Sequence, residues 1–118
     1  MTTTPAELLE RALDEIFNQQ DAAARRTAID ELFAPEVVFI DPEGESTGVE
    51  AVTAKIDGLV RGLDSGFVFR STALAQQAGE LGIHRWALGP EHAAPVVTGT
   101  DIILVADGRI ARFFTVVD

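Results

Sequence analysis

No cysteine and no tyrosine occur in the 118 residues of this chain, and there are only two histidines, one methionine and one tryptophan. The missing thiols exclude disulfides, cysteine nucleophiles and thiolate metal sites, and they suit a cytoplasmic location. Positive charge is scarce: 9 Lys and Arg face 19 Asp and Glu, a net charge of −10. That balance repels phosphate backbones and anionic lipid surfaces, so neither nucleic acid nor membrane is an expected partner. The longest strongly apolar run, Ile102 to Ala106, is too short to cross a bilayer. Met1 to Pro5 lacks the positive charge and apolar run of a secretory leader.

What is present is a folding composition. Apolar residues make up 47% of the chain, enough for one core, and the length predicts a single domain over 1–118. Thr4-Pro5-Ala6-Glu7 is a capping box with proline at the first helical position. Leu8, Leu9, Ala12, Leu13, Ile16 and Phe17 follow at helical spacing. Asn18-Gln19-Gln20 interrupts that face, and Asp21 caps a second helix with Ala24, Ala28, Ile29, Leu32 and Phe33 on its apolar side, ended by Pro35. Arg25-Arg26 reads as part of its solvated side. Thr47-Gly48-Val49-Glu50 has the form of a second capping box and opens a third helix.

Strand patterns bracket and follow that helix. Val37 to Asp41 is the first, ending in Asp41-Pro42-Glu43-Gly44. After Gly66 the candidates are Phe67–Ala75, Glu80–Leu88, Val96–Val105 and Arg109–Val117, with a polar turn at Gln76–Gly79 and a loop at Gly89–Ala94. Asp107-Gly108 between the last two is a two-residue hairpin signal. The order predicts an α+β fold: three N-terminal helices packed on a curved, mainly antiparallel sheet that forms a cone with an internal pocket.

Polar residues pointing into such a pocket are the candidate site. By strand alternation Asp41 shares a face with Val37 and Phe39, and His84 shares one with Trp86. Asp101 lies inside an otherwise apolar strand, where it needs a partner such as Arg85 or Arg112, solvent, or a function. Asp41 ahead of Pro42 also fits the opening of a turn. His92 falls in a loop. His84, His92 and the carboxylates show no ligand spacing for a metal, and neither a metal nor a cofactor is expected.

Taken in order, Glu31-Leu32-Phe33-Ala34-Pro35, Asp41-Pro42, Gly99-Thr100-Asp101-Ile102 and Asp107-Gly108-Arg109-Ile110 resemble the SnoaL-like branch of the nuclear transport factor 2-like superfamily, over nearly the whole chain. The resemblance implies a cone fold, commonly a homodimer, and includes ketosteroid isomerases and polyketide cyclases. It places Asp41 where the isomerase carries its base, and Asp101 where the cyclases carry an acid–base residue. It also places Phe17 where the isomerase has its hydrogen-bonding tyrosine, a role phenylalanine cannot fill. Asp41, Asp101 and His84 are thus the expected catalytic residues, and Phe17, Phe39, Trp86 and Phe114 the expected ligand contacts. The expected function is a pocket for a small hydrophobic molecule, with isomerase- or cyclase-type acid–base catalysis on an apolar carbonyl compound. The alternative is a noncatalytic ligand-binding or dimerisation module.

Overall fold

The structure, a computed structural model, describes residues 3–118. Helix α1 (Pro5–Ala12) starts as its sequence dictates: the Thr4 hydroxyl accepts from the Glu7 N–H, and the Glu7 carboxylate accepts from the Thr4 N–H. It runs on into a π-helical turn, Leu13–Phe17, closed by the Asn18 N–H donating to the Leu13 carbonyl at 2.9 Å. Helix α2 (Ala22–Leu32) begins at Asp21, whose carboxylate accepts from the Ala24 N–H at 2.8 Å. Helix α3 (Val49–Arg61) starts differently from expectation. Its N-cap is Gly48 at φ +88°, with no side-chain cap, because Thr47 is committed to a strand.

Seven strands form one mixed sheet that curves without closing. They are β1 (Phe33–Asp41), β2 (Gly44–Thr47), β3 (Phe67–Ser71), β4 (Gln76–Ala78), β5 (Leu81–Pro90), β6 (Val97–Ala106) and β7 (Arg109–Val117), in the order β2-β1-β7-β6-β5-β3, with β4 also paired to β5. All pairings are antiparallel except β1 with β7. Asp107 and Gly108 turn β6 into β7 with both φ angles positive, as a two-residue hairpin requires. Several sequence expectations change: Phe33 and Pro35 belong to β1, which starts at Phe33, rather than to the end of the second helix, and β3 stops at Ser71. The residues after Pro42 return as β2, the polar stretch at Gln76 pairs as β4, and β5 continues through Gly89 and Pro90.

The helices cover the concave face of the sheet. Phe17 from the π-helical turn, Phe33 and Phe39 from β1, and Phe113 from β7 interlock there, with centroid separations of 5.4 to 6.4 Å. Arg25 departs from the solvated role expected of it. It is only 2% exposed, donates to the Gln19 carbonyl at 2.7 and 3.2 Å, and pairs with Asp57 of α3. Burying a charge is costly unless it is paired and bonded, and here it is both.

Alternation along β7 is broken. Leu104 pairs with Arg112 but Val105 with Ile110, so Ala111 is an extra residue on that strand. Such a bulge shifts every later side chain to the other face. Counting by twos from buried Ile110 would turn Phe114 inward. In fact Phe113 is fully buried on the concave side, and Phe114 lies on the convex one.

Candidate functional site

Between the helices and the open end of the concave face lies a cavity of about 280 Å³. Its walls are apolar: Phe17, Phe39, Phe69, Trp86, Leu88 and Val97, with Leu13, Leu59, Val60, Leu63, Pro42 and Val117 completing them. Four polar or charged side chains punctuate them: Asp41, Glu43, Asp101 and Thr115. Both aspartates singled out by sequence therefore line one cavity, and so do Phe17, Phe39 and Trp86.

The π-helical turn has a positional consequence. It carries Phe17 into the cavity wall and leaves Asn18 facing the edge strand. The Asn18 amide donates to the Phe69 carbonyl at 2.7 Å, and its oxygen accepts from the Phe69 N–H at 2.8 Å. A side-chain amide thus caps one end of the wall, and Phe69 stands edge-on to Trp86 at 5.5 Å.

Asp101 is the buried acid. It is 6% exposed, and neither Arg85 nor Arg112 is its partner, since both are exposed on the convex side. Instead Oδ1 accepts from Trp86 Nε1 and from the Thr115 hydroxyl, each at 3.0 Å. Trp86 comes from β5 and Thr115 is the register partner of Asp101 on β7. Burial pushes the Asp101 carboxyl up to about 7, against the smaller opposing effect of the Thr115 and Trp86 bonds. Thr115 was missed in the sequence because the bulge at Ala111 sets its face.

Asp41 has two jobs. Pairing of Asp41 with Gly44 leaves Pro42 and Glu43 as the turn between β1 and β2, and Asp41 Oδ1 accepts from the Glu43 N–H at 3.0 Å. Its other oxygen meets Lys55 Nζ of α3 at 3.1 Å. Lys55 also pairs with Glu43, and it is held in its charged form chiefly by Glu43 and then by Asp41, against desolvation. Asp41 thus both opens the turn and lines the cavity. Its negative charge, though, is already matched, which the expected greasy environment of Val37 and Phe39 did not foresee.

His84 shares the concave face with Trp86 but stands outside the cavity lining. Nε2 lies 2.8 Å from the Ser71 hydroxyl, which itself donates to the Ala73 carbonyl at 2.6 Å. Burial pulls its pKa down, more than Glu10 and Asp14 raise it. Bonded to Ser71 and packed under α1, the imidazole is not among the side chains that this cavity brings together. Phe114 likewise lies away from the cavity, for the reason given by the bulge. Among the described residues no group of three His, Cys, Asp or Glu is placed to hold a metal ion.

Gly99 makes the Trp86–Asp101 bond possible. It is the register partner of Trp86, and the indole lies across it to reach Asp101 two residues on. A Cβ at Gly99 would collide with indole Cζ2 and with the Val116 carbonyl. Gly99→Ala is expected to displace the indole and cost about 1–3 kcal/mol. Since Trp86 is the one tryptophan and tyrosine is absent, its fluorescence reads the displacement directly. An unchanged emission spectrum and unchanged stability would contradict this packing.

Comparison with known proteins bears on this geometry. The family model described as SnoaL-like domain matches residues 9–113. A candidate isomerase of the SnoaL-like family from Agrobacterium tumefaciens superposes with a TM-score of 0.85 at 21% identity, covering 94% of each chain. A candidate SnoaL-like polyketide cyclase from Jannaschia gives 0.80 at 18% identity, over 99% of this chain and 87% of that one. A candidate ketosteroid isomerase from Kribbella flavida gives 0.74 at 15% identity, over 99% and 79%. No curated protein matches the chain. At these identities the structural likenesses establish the fold, and fold alone does not specify a reaction.

Proposed function

The chain belongs to the SnoaL-like domain family, and from that premise we propose that it is a small-molecule pocket protein that performs acid–base catalysis on an apolar carbonyl compound. One observation carries the reading: of the three carboxyls that line the apolar cavity, Asp101 is the buried one that pairs with no cation, and its pKa is raised to about 7. A group poised near neutral pH can both take and give a proton, as a general acid–base residue must. Phe17, Phe39, Phe69 and Trp86 would enclose the apolar body of the substrate. Asp41, ion-paired to Lys55, shapes the mouth in this reading, and Asp101 moves the proton. The candidate isomerase and cyclase functions of the structural relatives agree in kind with such chemistry.

Hydrogen–deuterium exchange next to the carbonyl tests this without a known product. A panel of small apolar ketones is incubated with the protein in heavy water and followed by NMR. At least one should exchange faster than in buffer, and Asp101→Asn should slow that exchange by about 10²-fold or more. Undiminished exchange in the variant would remove Asp101 from the mechanism. Binding without any exchange would instead support a noncatalytic ligand carrier. That second reading is favoured by the Lys55–Asp41 pair, which leaves the cavity with no second unpartnered carboxylate at that position.

The same reading includes a homodimer and a cytoplasmic location. Ile40, Phe114, Ile102 and Ile83 are successive register partners across four strands and form an apolar ladder on the convex face. Leu104 and Val116, 37% and 51% exposed, extend it. A contiguous apolar sheet face of this kind fits a second copy of the chain. Phe114→Glu should turn a dimer in sedimentation into a monomer, and a natural chain that sediments as a monomer would refute the pairing. The cysteine-free composition is what supports the location.

A further inference from the structure

The inner end of the cavity offers very few hydrogen-bonding atoms. The indole of Trp86 has one N–H and the hydroxyl of Thr115 one hydrogen, and both are spent on Asp101 Oδ1, at 3.0 Å each. Asp101 Oδ2 makes no hydrogen bond. Nor is it sealed off, since among the described residues Thr53 Oγ1 is the one buried side-chain oxygen or nitrogen without a partner. Oδ2 is therefore open to the cavity that Asp101 lines. The two strands that hold Oδ1 flank β6 on either side, so the carboxyl is gripped from both neighbours and cannot easily rotate.

We infer that Trp86 and Thr115 are positioning residues, which grip the Asp101 carboxyl by Oδ1 and thereby leave Oδ2 as the atom that carries its proton toward the ligand. A carboxyl oxygen already accepting two hydrogen bonds is a poor place for a proton, since protonation there would compete with both donors. Oδ2 has no such competitor. The arrangement does for the buried acid what fixed donors do at any preorganised site: it chooses one oxygen and one direction before a ligand arrives. The inference rests on the reading of the cavity as the ligand site, and adds which atom acts and which residues aim it.

The charged surroundings are compatible with it. His84 is the register partner of Asp101 on β5 but is bonded to Ser71, with Glu10 and Asp14 of the first helical segment beside it. Asp41 and Glu43 reach the cavity from the β1–β2 turn, with Lys55 of α3 paired to both. From β7 the group facing Asp101 is uncharged Thr115. None of these charges makes a hydrogen bond to Asp101, so its direct partners remain the two donors to Oδ1.

The test is a titration of the Asp101 carboxyl by carbon NMR in the full chain without ligand, the resonance being assigned by its loss in Asp101→Asn. Thr115→Val keeps the shape of the side chain and removes the donor. It should move the midpoint upward by about one pH unit, because the lost bond favoured the ionised form. Thr115→Ser, which restores a hydroxyl, should bring the midpoint back. Trp86→Phe should shift it in the same direction as Thr115→Val. A midpoint unmoved in both Thr115→Val and Trp86→Phe would overturn the proposal, as would a shift that Thr115→Ser fails to reverse. A purely structural role for Thr115 would change stability without this pattern. Since the readout needs no substrate, absence of ketone exchange would defeat the catalytic reading and leave this inference standing. Exchange with an unmoved midpoint would do the opposite.

Discussion

Asp101→Asn will be more stable to urea than the natural chain at pH 8, and the advantage will disappear near pH 4. The cause is the raised pKa of the buried carboxyl, about 7 in the folded protein against 3.8 for an ordinary aspartate. A group that binds its proton more tightly when folded stabilises the fold fully below its unfolded pKa. That stabilisation is lost as pH rises through the folded value. Above pH 7 the natural chain must hold a charge in an apolar cavity, and the deficit is at most on the order of 4 kcal/mol. Asparagine keeps an oxygen to accept from Trp86 and Thr115 and carries no charge. Urea denaturation of both proteins at pH 4, 6 and 8 measures the difference, in which contributions from other titrating groups cancel. Equal stability at pH 8 would show that the carboxyl is not desolvated as described. A gain at pH 8 combined with a loss of exchange activity would mark Asp101 as a residue kept for function at a cost in stability.

Phe113→Ala should cost about 3–5 kcal/mol, whereas Phe114→Ala should cost about 1–2 kcal/mol in the monomer. Phe113 is fully buried and packs on Phe17, Phe33 and Phe39, with ring separations of 5.5, 6.0 and 5.4 Å. Removing it opens a void that three rings held by the π-helical turn and β1 cannot collapse to fill. Phe114 is partly exposed on the convex face and has no such surround. Comparing urea midpoints of the two variants at a concentration where the chain is monomeric isolates the effect of facing. The reverse order would mean that the bulge at Ala111 does not exist and that β7 runs in unbroken alternation.

That contrast also shows where reading the sequence runs out. Alternation placed Trp86 and His84 on one face of β5 correctly, because that strand is regular between Leu81 and Leu88. Phe114 and Thr115 lie beyond its reach, because one inserted residue reverses the alternation of β7 and nothing in Ile110-Ala111-Arg112 announces the insertion. Thr47 was a plausible helix cap by local chemistry, but its backbone was needed to pair with Val38. Local sequence places Arg25 on the solvated side of its helix, and the fold buries it. Its burial depends on Asp57, which lies 32 residues away.

What the sequence determined by itself is local in origin: the capped starts of the first two helices, the Asp107-Gly108 hairpin, the turn after Asp41, and the order of the three helices and five longer strands, though not β2 and β4. Each follows from neighbours within a few residues, where capping hydrogen bonds and backbone preferences act. Tertiary structure decided the rest of the site. It gave Asp41 a lysine, gave Asp101 a tryptophan and a threonine, and moved His84 out of the cavity lining. Those pairings join strands and helices far apart in the chain. The charge state of a buried acid is set by such partners and by loss of water, neither of which a short stretch of sequence contains.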